Sequence, residues 1–145
     1  METRTTVFYV DDNPKSSRLL TSVLEDSGFR VIAKNDPFEA LALCSQTNFD
    51  LALLDYDMPQ ISGSTLAQEI KYTVPDVPVV LISSRSKLPS ADMAFVDAHF
   101  GVGTSLDDLL WTIRILTRPK VVAIQDYQGG HREITREMTR WADST

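Results

Sequence analysis

The sequence predicts a doubly wound α/β fold, a five-stranded parallel sheet with helices on both faces in three layers. Three observations predict it. The runs Val7-Phe8-Tyr9-Val10, Val31-Ile32-Ala33, Leu51-Ala52-Leu53-Leu54 and Val79-Val80-Leu81-Ile82 are apolar without alternating, as parallel strands covered on both faces read. Helical stretches separate these runs, which is the pattern of repeated β-α-β units. The chain has 145 residues, 43% of them apolar and 8% aromatic, which is the length of one domain with enough apolar mass to fill its core.

The elements follow in order. Asn13-Pro14 opens the first helix, since proline is tolerated at a helix start. Leu19, Leu20, Val23 and Leu24 are expected to form its inward stripe, and Gly28 to end it. A second helix is expected over 37–46, with Phe38, Leu41 and Ala42 inward. A third follows Gly63, where Leu66 and Ile70 lie four apart within 65–72. A fifth strand falls within 93–102. The last helix has Ser105 as its N-cap and Asp107 and Asp108 in its first turn. Its apolar face is Leu106, Leu109, Leu110, Ile113 and Leu116. Cys44 and Trp111 read as packing residues, and the two histidines, His99 and His131, have no partner spacing for a metal.

Composition removes several classes of function. Fourteen Lys and Arg against twenty Asp and Glu give a net charge of −6, which does not suit a nucleic-acid-binding face. A single cysteine leaves no intrachain disulfide framework and no Cys-rich zinc site. No run approaches the roughly 18 apolar residues of a membrane span, and the polar start 1–6 has no apolar stretch behind it to form a secretory signal. A cytoplasmic location is the expectation. The opening Met and the lack of a trailing linker accord with a stand-alone protein.

In an open parallel sheet, ligands bind beyond the carboxyl ends of the strands, where the strand order reverses. Asp11 and Asp12 follow the first strand, Asp55 with Tyr56, Asp57, Met58 and Pro59 follows the third, and Ser83 and Ser84 follow the fourth. With the first and third strands adjacent, roughly 5 Å apart, three carboxylates converge on one crevice. Ionised carboxylates at that range repel, so one takes up a proton or a cation binds. Such an oxygen-rich site suits Mg²⁺, and an aspartate beside the ion can attack phosphorus to give an acyl phosphate. A single aspartate at a strand end is commonly a helix cap or turn residue, and Ser83 taken alone reads as a turn. The three acids together are what argue for a site.

The segments Tyr9-Val10-Asp11-Asp12-Asn13, Leu54-Asp55-Tyr56-Asp57-Met58-Pro59 with Gly63 four residues on, and Pro78-Val79-Val80-Leu81-Ile82-Ser83-Ser84 resemble the receiver domain of two-component response regulators. The resemblance covers about residues 5–117 and implies the flavodoxin-like form of the fold. It implies that Asp55 is the phospho-acceptor, fed by a histidine kinase or phosphotransfer protein. Asp12 would be a direct Mg²⁺ ligand and Asp11 a direct or water-mediated one. The backbone carbonyl of Asp57 would complete the protein's share of the shell, and the Ser83 hydroxyl would turn to the phosphoryl group. Output would run through a downstream protein target, without turnover of a substrate.

The pattern also breaks. Receivers carry a lysine at the end of the fifth strand; here Val102 takes that slot, and no lysine lies between Leu88 and Pro119. The segment after Ser83 is short, Pro89 stands where a fourth helix would begin, and His99, with Phe100 beside it, takes the place of the switch aromatic. The expectation is an Asp55 that still accepts phosphate with an altered response through strands four and five. A receiver-like adaptor that works without phosphate is the first alternative. A haloacid-dehalogenase-like phosphatase, from Asp55-Tyr56-Asp57, is a remote one, since Pro59 stands where that family has Thr or Val. Residues 1–118 are read as the receiver-like domain and 119–145 as an extension. The extension has an apolar piece at 121–124, a Gly129-Gly130 turn, and a short helix from His131 with Ile134, Met138 and Trp141 on one face. That helix reads as packed on its own domain or frayed; the alternative is a docking or homodimerisation element.

Overall fold

The computed structural model describes residues 4–101 and 103–119. Val102 lies outside them, and so does the extension from residue 120, including the expected 121–124 piece and the helix from His131. Each helix starts on a side-chain cap, of which those at Asn13 and Ser105 were expected from the sequence. The Asn13 side chain accepts from the backbone N–H groups of Lys15 and Ser16 to open α1 (Pro14–Asp26), and Asp36 does the same for Phe38 and Glu39 at α2 (Pro37–Cys44). Ser62 caps α3 (Gly63–Thr73) and Ser105 caps α4 (Leu106–Leu116). These side chains satisfy donors that have no partner within the helix. Gly28, at φ +99°, turns the chain out of α1 in a conformation that side chains rarely adopt.

The strands β1 (Thr6–Val10), β2 (Arg30–Lys34), β3 (Leu51–Asp55), β4 (Val79–Ile82) and β5 (Ala98–Phe100) form one parallel sheet in the order β2-β1-β3-β4-β5. The expected fold is the observed one. Successive residues point to opposite faces, so the sheet has two cores. Phe8, Val10, Ala52, Leu54, Val79 and Leu81 pack with Ala40, Cys44, Leu66 and Ile70 under α2 and α3. Val7, Tyr9, Leu51, Leu53 and Val80 pack with Leu24, Leu109, Leu110 and Ile113 under α1 and α4.

Three expected inward faces are corrected. Leu19 is 70% exposed, because the buried Ser17 and Leu24 set the inward side of α1. At about 100° per residue, Leu19 lies roughly opposite Ser17. On α2 the inward set is Pro37, Ala40 and Cys44, with Leu41 packed against the same core, so Phe38 and Ala42 face out. Leu106 on α4 is 43% exposed. The shortened segment after β4 carries a single 3₁₀ turn, Ser90–Met93, directly after Pro89, in place of a fourth helix.

One close approach fixes the mouth of the sheet. The first turn of α3 lies on the end of β3 so tightly that a Cβ on Gly63 would sit 2.4 Å from the Asp55 carbonyl oxygen and 2.8 Å from the Tyr56 Cα. Both contacts are to backbone, which cannot swing aside, and the Gly63 N–H donates to the Tyr56 carbonyl at 3.0 Å. Gly63→Ala is therefore expected to lower stability by about 1–3 kcal/mol, read as an earlier midpoint in urea unfolding. A midpoint equal to that of the parent would show that the contact is not tight.

Candidate functional site

The strand order reverses at β1. The chain passes from β1 to β2 on one side and returns to β3 on the other, so the carboxyl ends of β1 and β3 flank a crevice. Their pairing runs through Val10↔Leu54, so Asp11 and Asp55 leave the sheet side by side. Asp11 is two residues on from Tyr9 and Asp55 two on from Leu53, which places both on the face that α1 and α4 cover. Carboxylate oxygens of Asp11, Asp12 and Asp55 all lie within 4.8 Å of one another. The convergence expected from the sequence is present.

The crevice around them has a volume of about 570 Å³, with Asp57, Ser83 and Ser84 along one side and the exposed Leu19 and Leu106 at its rim. Asp57 lies at the crevice edge, its backbone N–H 3.3 Å from Asp55 Oδ1. The Ser83 hydroxyl is 3.5 Å from Asp57 Oδ2 and accepts the Arg85 backbone N–H at 2.9 Å. Ser83 is thus in the site, turned toward Asp57.

Two residues of the site were not singled out from the sequence. The Tyr9 hydroxyl donates to Asp11 Oδ2 at 2.6 Å while the Asn13 N–H donates to Oδ1 at 3.0 Å, so the buried Asp11 carboxylate is held at both oxygens. Burial, the bond to Asp11 and the negative charges of Asp11 and Asp55 push the Tyr9 phenol upward, which keeps it a donor. The signal was available: residues i and i+2 of a strand share a face. The second is Arg85, whose guanidinium lies 3.2 Å from Asp57 Oδ1. It is the first cation after β4, and it lies upstream of the fifth-strand region where a receiver carries its lysine.

Crowding has an electrostatic cost. Burial first, then the charge of Asp11, then those of Asp12 and Asp57, push the Asp55 carboxyl up to about 7, against the backbone N–H of Asp57, which lowers it. Near neutral pH the cluster is thus short of positive charge, and a hard divalent cation with carboxylate ligands would supply it. The donor set is all oxygen and fits Mg²⁺.

A family model described as the response regulator receiver domain matches residues 7–101. The chain belongs to that family. It is 30% identical over 83 residues to the uncharacterized transcriptional regulatory protein YkoG of Bacillus subtilis, covering 57% of this chain and 36% of that protein. It is 28% identical over 116 residues to the response regulator MprA of Mycobacterium leprae, covering 77% and 50%. This receiver therefore spans half or less of the length of these curated relatives. Among solved structures it superposes on the response regulator TrrA of Thermotoga maritima in complex with Mg²⁺-BeF at a TM-score of 0.72, with 28% identity over 77% of this chain and 98% of TrrA. The histidine kinase ThkA in complex with TrrA gives a TM-score of 0.72 at 26% identity over 79% and 99%. The phosphatase alternative is not favoured by these matches. Among the described residues, no helix is long and apolar enough to cross a membrane.

Asp55 binds its proton more tightly folded than unfolded. Its contribution to stability is complete below the unfolded carboxylate range and is lost as pH rises through about 7. With EDTA present, Asp55→Asn is expected to gain on the parent between pH 5 and pH 8. The gain should reach about 1–2 kcal/mol, well under the full linkage because the carboxyl is half-exposed. Mg²⁺ should shrink the difference. Urea unfolding at both pH values measures it; a difference that ignores pH would contradict the crowding.

Proposed function

We propose that this receiver accepts a phosphoryl group on Asp55 from a histidine kinase or phosphotransfer protein, in a Mg²⁺-dependent manner, and signals through protein–protein contact. The observation that carries the reading is the trio of carboxylates from two strands within 4.8 Å, with Asp55 the member whose carboxyl is held near 7. The Mg²⁺-BeF complex of TrrA and the ThkA–TrrA complex support it by family likeness. Asp11, Asp12 and Asp55 would hold Mg²⁺ through their carboxylates, and Asp57 through its backbone carbonyl. When bound, the ion would neutralise the cluster and draw charge from the phosphoryl oxygens.

The residues of the chain do the rest. An Asp55 oxygen attacks phosphorus, the donor's P–N bond breaks, and the imidazole departs with the electron pair and takes up a proton. Tyr9 and the Asn13 N–H hold the Asp11 carboxylate in place by donating to its two oxygens. The Ser83 hydroxyl turns from Asp57 to donate to a phosphoryl oxygen. The acyl phosphate is lost slowly by water attack, so the chain acts as an acceptor and timer and not as a turnover enzyme. Residues 1–118 would form the receiver and 119–145 an extension open to docking or homodimerisation, in a cytoplasmic setting, with no direct contact to nucleic acid or membrane. Without a strand-five lysine, a phosphate-independent adaptor is the reading that would remain if Asp55 took no phosphate.

Acetyl phosphate with Mg²⁺ followed by intact-mass measurement separates these. The expected result is the mass of one added phosphoryl group, absent with EDTA and absent in Asp55→Asn. No gain in the parent, or an equal gain in Asp55→Asn, would overturn the assignment of Asp55.

A further inference from the structure

A phosphoryl group on Asp55 adds negative charge to a site that already holds four carboxylates, and the lysine slot of strand five offers no cation. Arg85 packs against Gly101, the residue that precedes that slot in the sequence. It leaves the sheet two residues after Ser83, and its backbone is pressed against the end of β5, where a Cβ on Gly101 would fall 2.0 Å from the Arg85 carbonyl oxygen. Its own N–H is bonded to Ser83 Oγ, which ties its position to that of the proposed phosphoryl-binding hydroxyl. The guanidinium pairs with Asp57 and lies over the Tyr56 ring, 5.3 Å from its centroid. The Tyr56 hydroxyl in turn donates to Asp92 at 2.5 Å, within the 3₁₀ turn Ser90–Met93.

We propose that Arg85 is the cationic partner of the phosphoryl group on Asp55 in place of the strand-five lysine, and that its transfer from Asp57 and Tyr56 to that group carries the signal to the segment 84–97. This rests on Asp55 being the acceptor. The Arg85–Asp57 pair is exposed on both sides, at 57% and 39% of the side chains, so water screens it and it is cheap to break. A phosphoryl group offers the guanidinium two parallel charge-assisted hydrogen bonds, a stronger match than one exposed carboxylate oxygen. The exchange thus runs toward phosphate. When it does, the Tyr56 ring loses the cation above it, and the Tyr56–Asp92 bond, which anchors the 3₁₀ turn beside β3, is free to rearrange. The route leads into the loop after β4 without needing a fourth helix or a lysine on β5.

The test follows phosphorylation by acetyl phosphate and Mg²⁺ with intact mass, and deuterium exchange in 84–97 before and after, for the parent, Arg85→Ala, Arg85→Lys and Lys87→Ala. Arg85 is exposed, so its variants should fold, and their circular dichroism checks this. Arg85→Ala is expected to gain the phosphoryl group about tenfold more slowly, the effect of losing one charge-assisted contact, and to show no exchange response in 84–97. Arg85→Lys, which keeps the charge but not the two-pronged contact, should fall between the parent and Arg85→Ala in both, and Lys87→Ala, which removes the neighbouring exposed cation, should match the parent. Parent-like rate and response in Arg85→Ala, or their loss in Lys87→Ala instead, would overturn the role of Arg85 while leaving Asp55 in place. A parent that gains no mass at all would remove the acceptor reading and this one with it.

Discussion

Mutual repulsion among three carboxylates at the end of two neighbouring strands is the constraint on which the rest of this structure turns. Gathering Asp11, Asp12 and Asp55 within 4.8 Å is unfavourable for the bare fold. The unfavourable arrangement is imposed by the sheet, because β1 and β3 pair in register and both acids continue the same side of it. The strands are held by two full cores, one on each face, so the ends cannot spread to relieve the charge. The proposed binding of a cation beside a phosphoryl group would relieve this electrostatic tension.

Local supports make the tension tolerable. The Tyr9 phenol, buried among Leu53, Val80 and Leu109, turns a core aromatic into a donor for Asp11. The Asn13 N–H takes the other oxygen of the same carboxylate, and its side chain caps α1, so helix start and acid orientation are settled by one turn of chain. On the opposite side, Gly63 lets α3 lie directly on the backbone of Asp55 and Tyr56, which aims the residues after β3 at the crevice. Arg85 answers Asp57 at the outer edge, in an exposed pair that gives way easily.

The fold was legible because its signals are local and repeated. Non-alternating apolar runs, side-chain caps and two helix-opening prolines each pointed the same way, while the adjacency of β1 and β3 was a condition that the structure supplied. The acids and Ser83 were legible because the ends of strands in such a sheet are known in advance. The helix faces were less so. On α2, Phe38 looked like the obvious core residue, yet its side is set by Pro37, Ala40 and Cys44, small residues that allow close packing on the sheet. Leu19 is apolar but belongs to the rim of the crevice, which an inward-stripe count cannot show. Arg85 escaped because its place depends on a tertiary contact, the approach of Gly101 to its backbone, and not on spacing along the chain.

The central claim is that these acids share one crevice, hold one divalent ion, and leave Asp55 part-protonated until that ion arrives. Calorimetric titration with Mg²⁺ at pH 7, repeated in two buffers of different ionisation enthalpy, counts the protons released per ion bound. The account predicts one ion per chain with release of about half a proton, since Asp55 titrates near that pH, and no release when Asn replaces Asp55. Binding without proton release, or no binding, would contradict it.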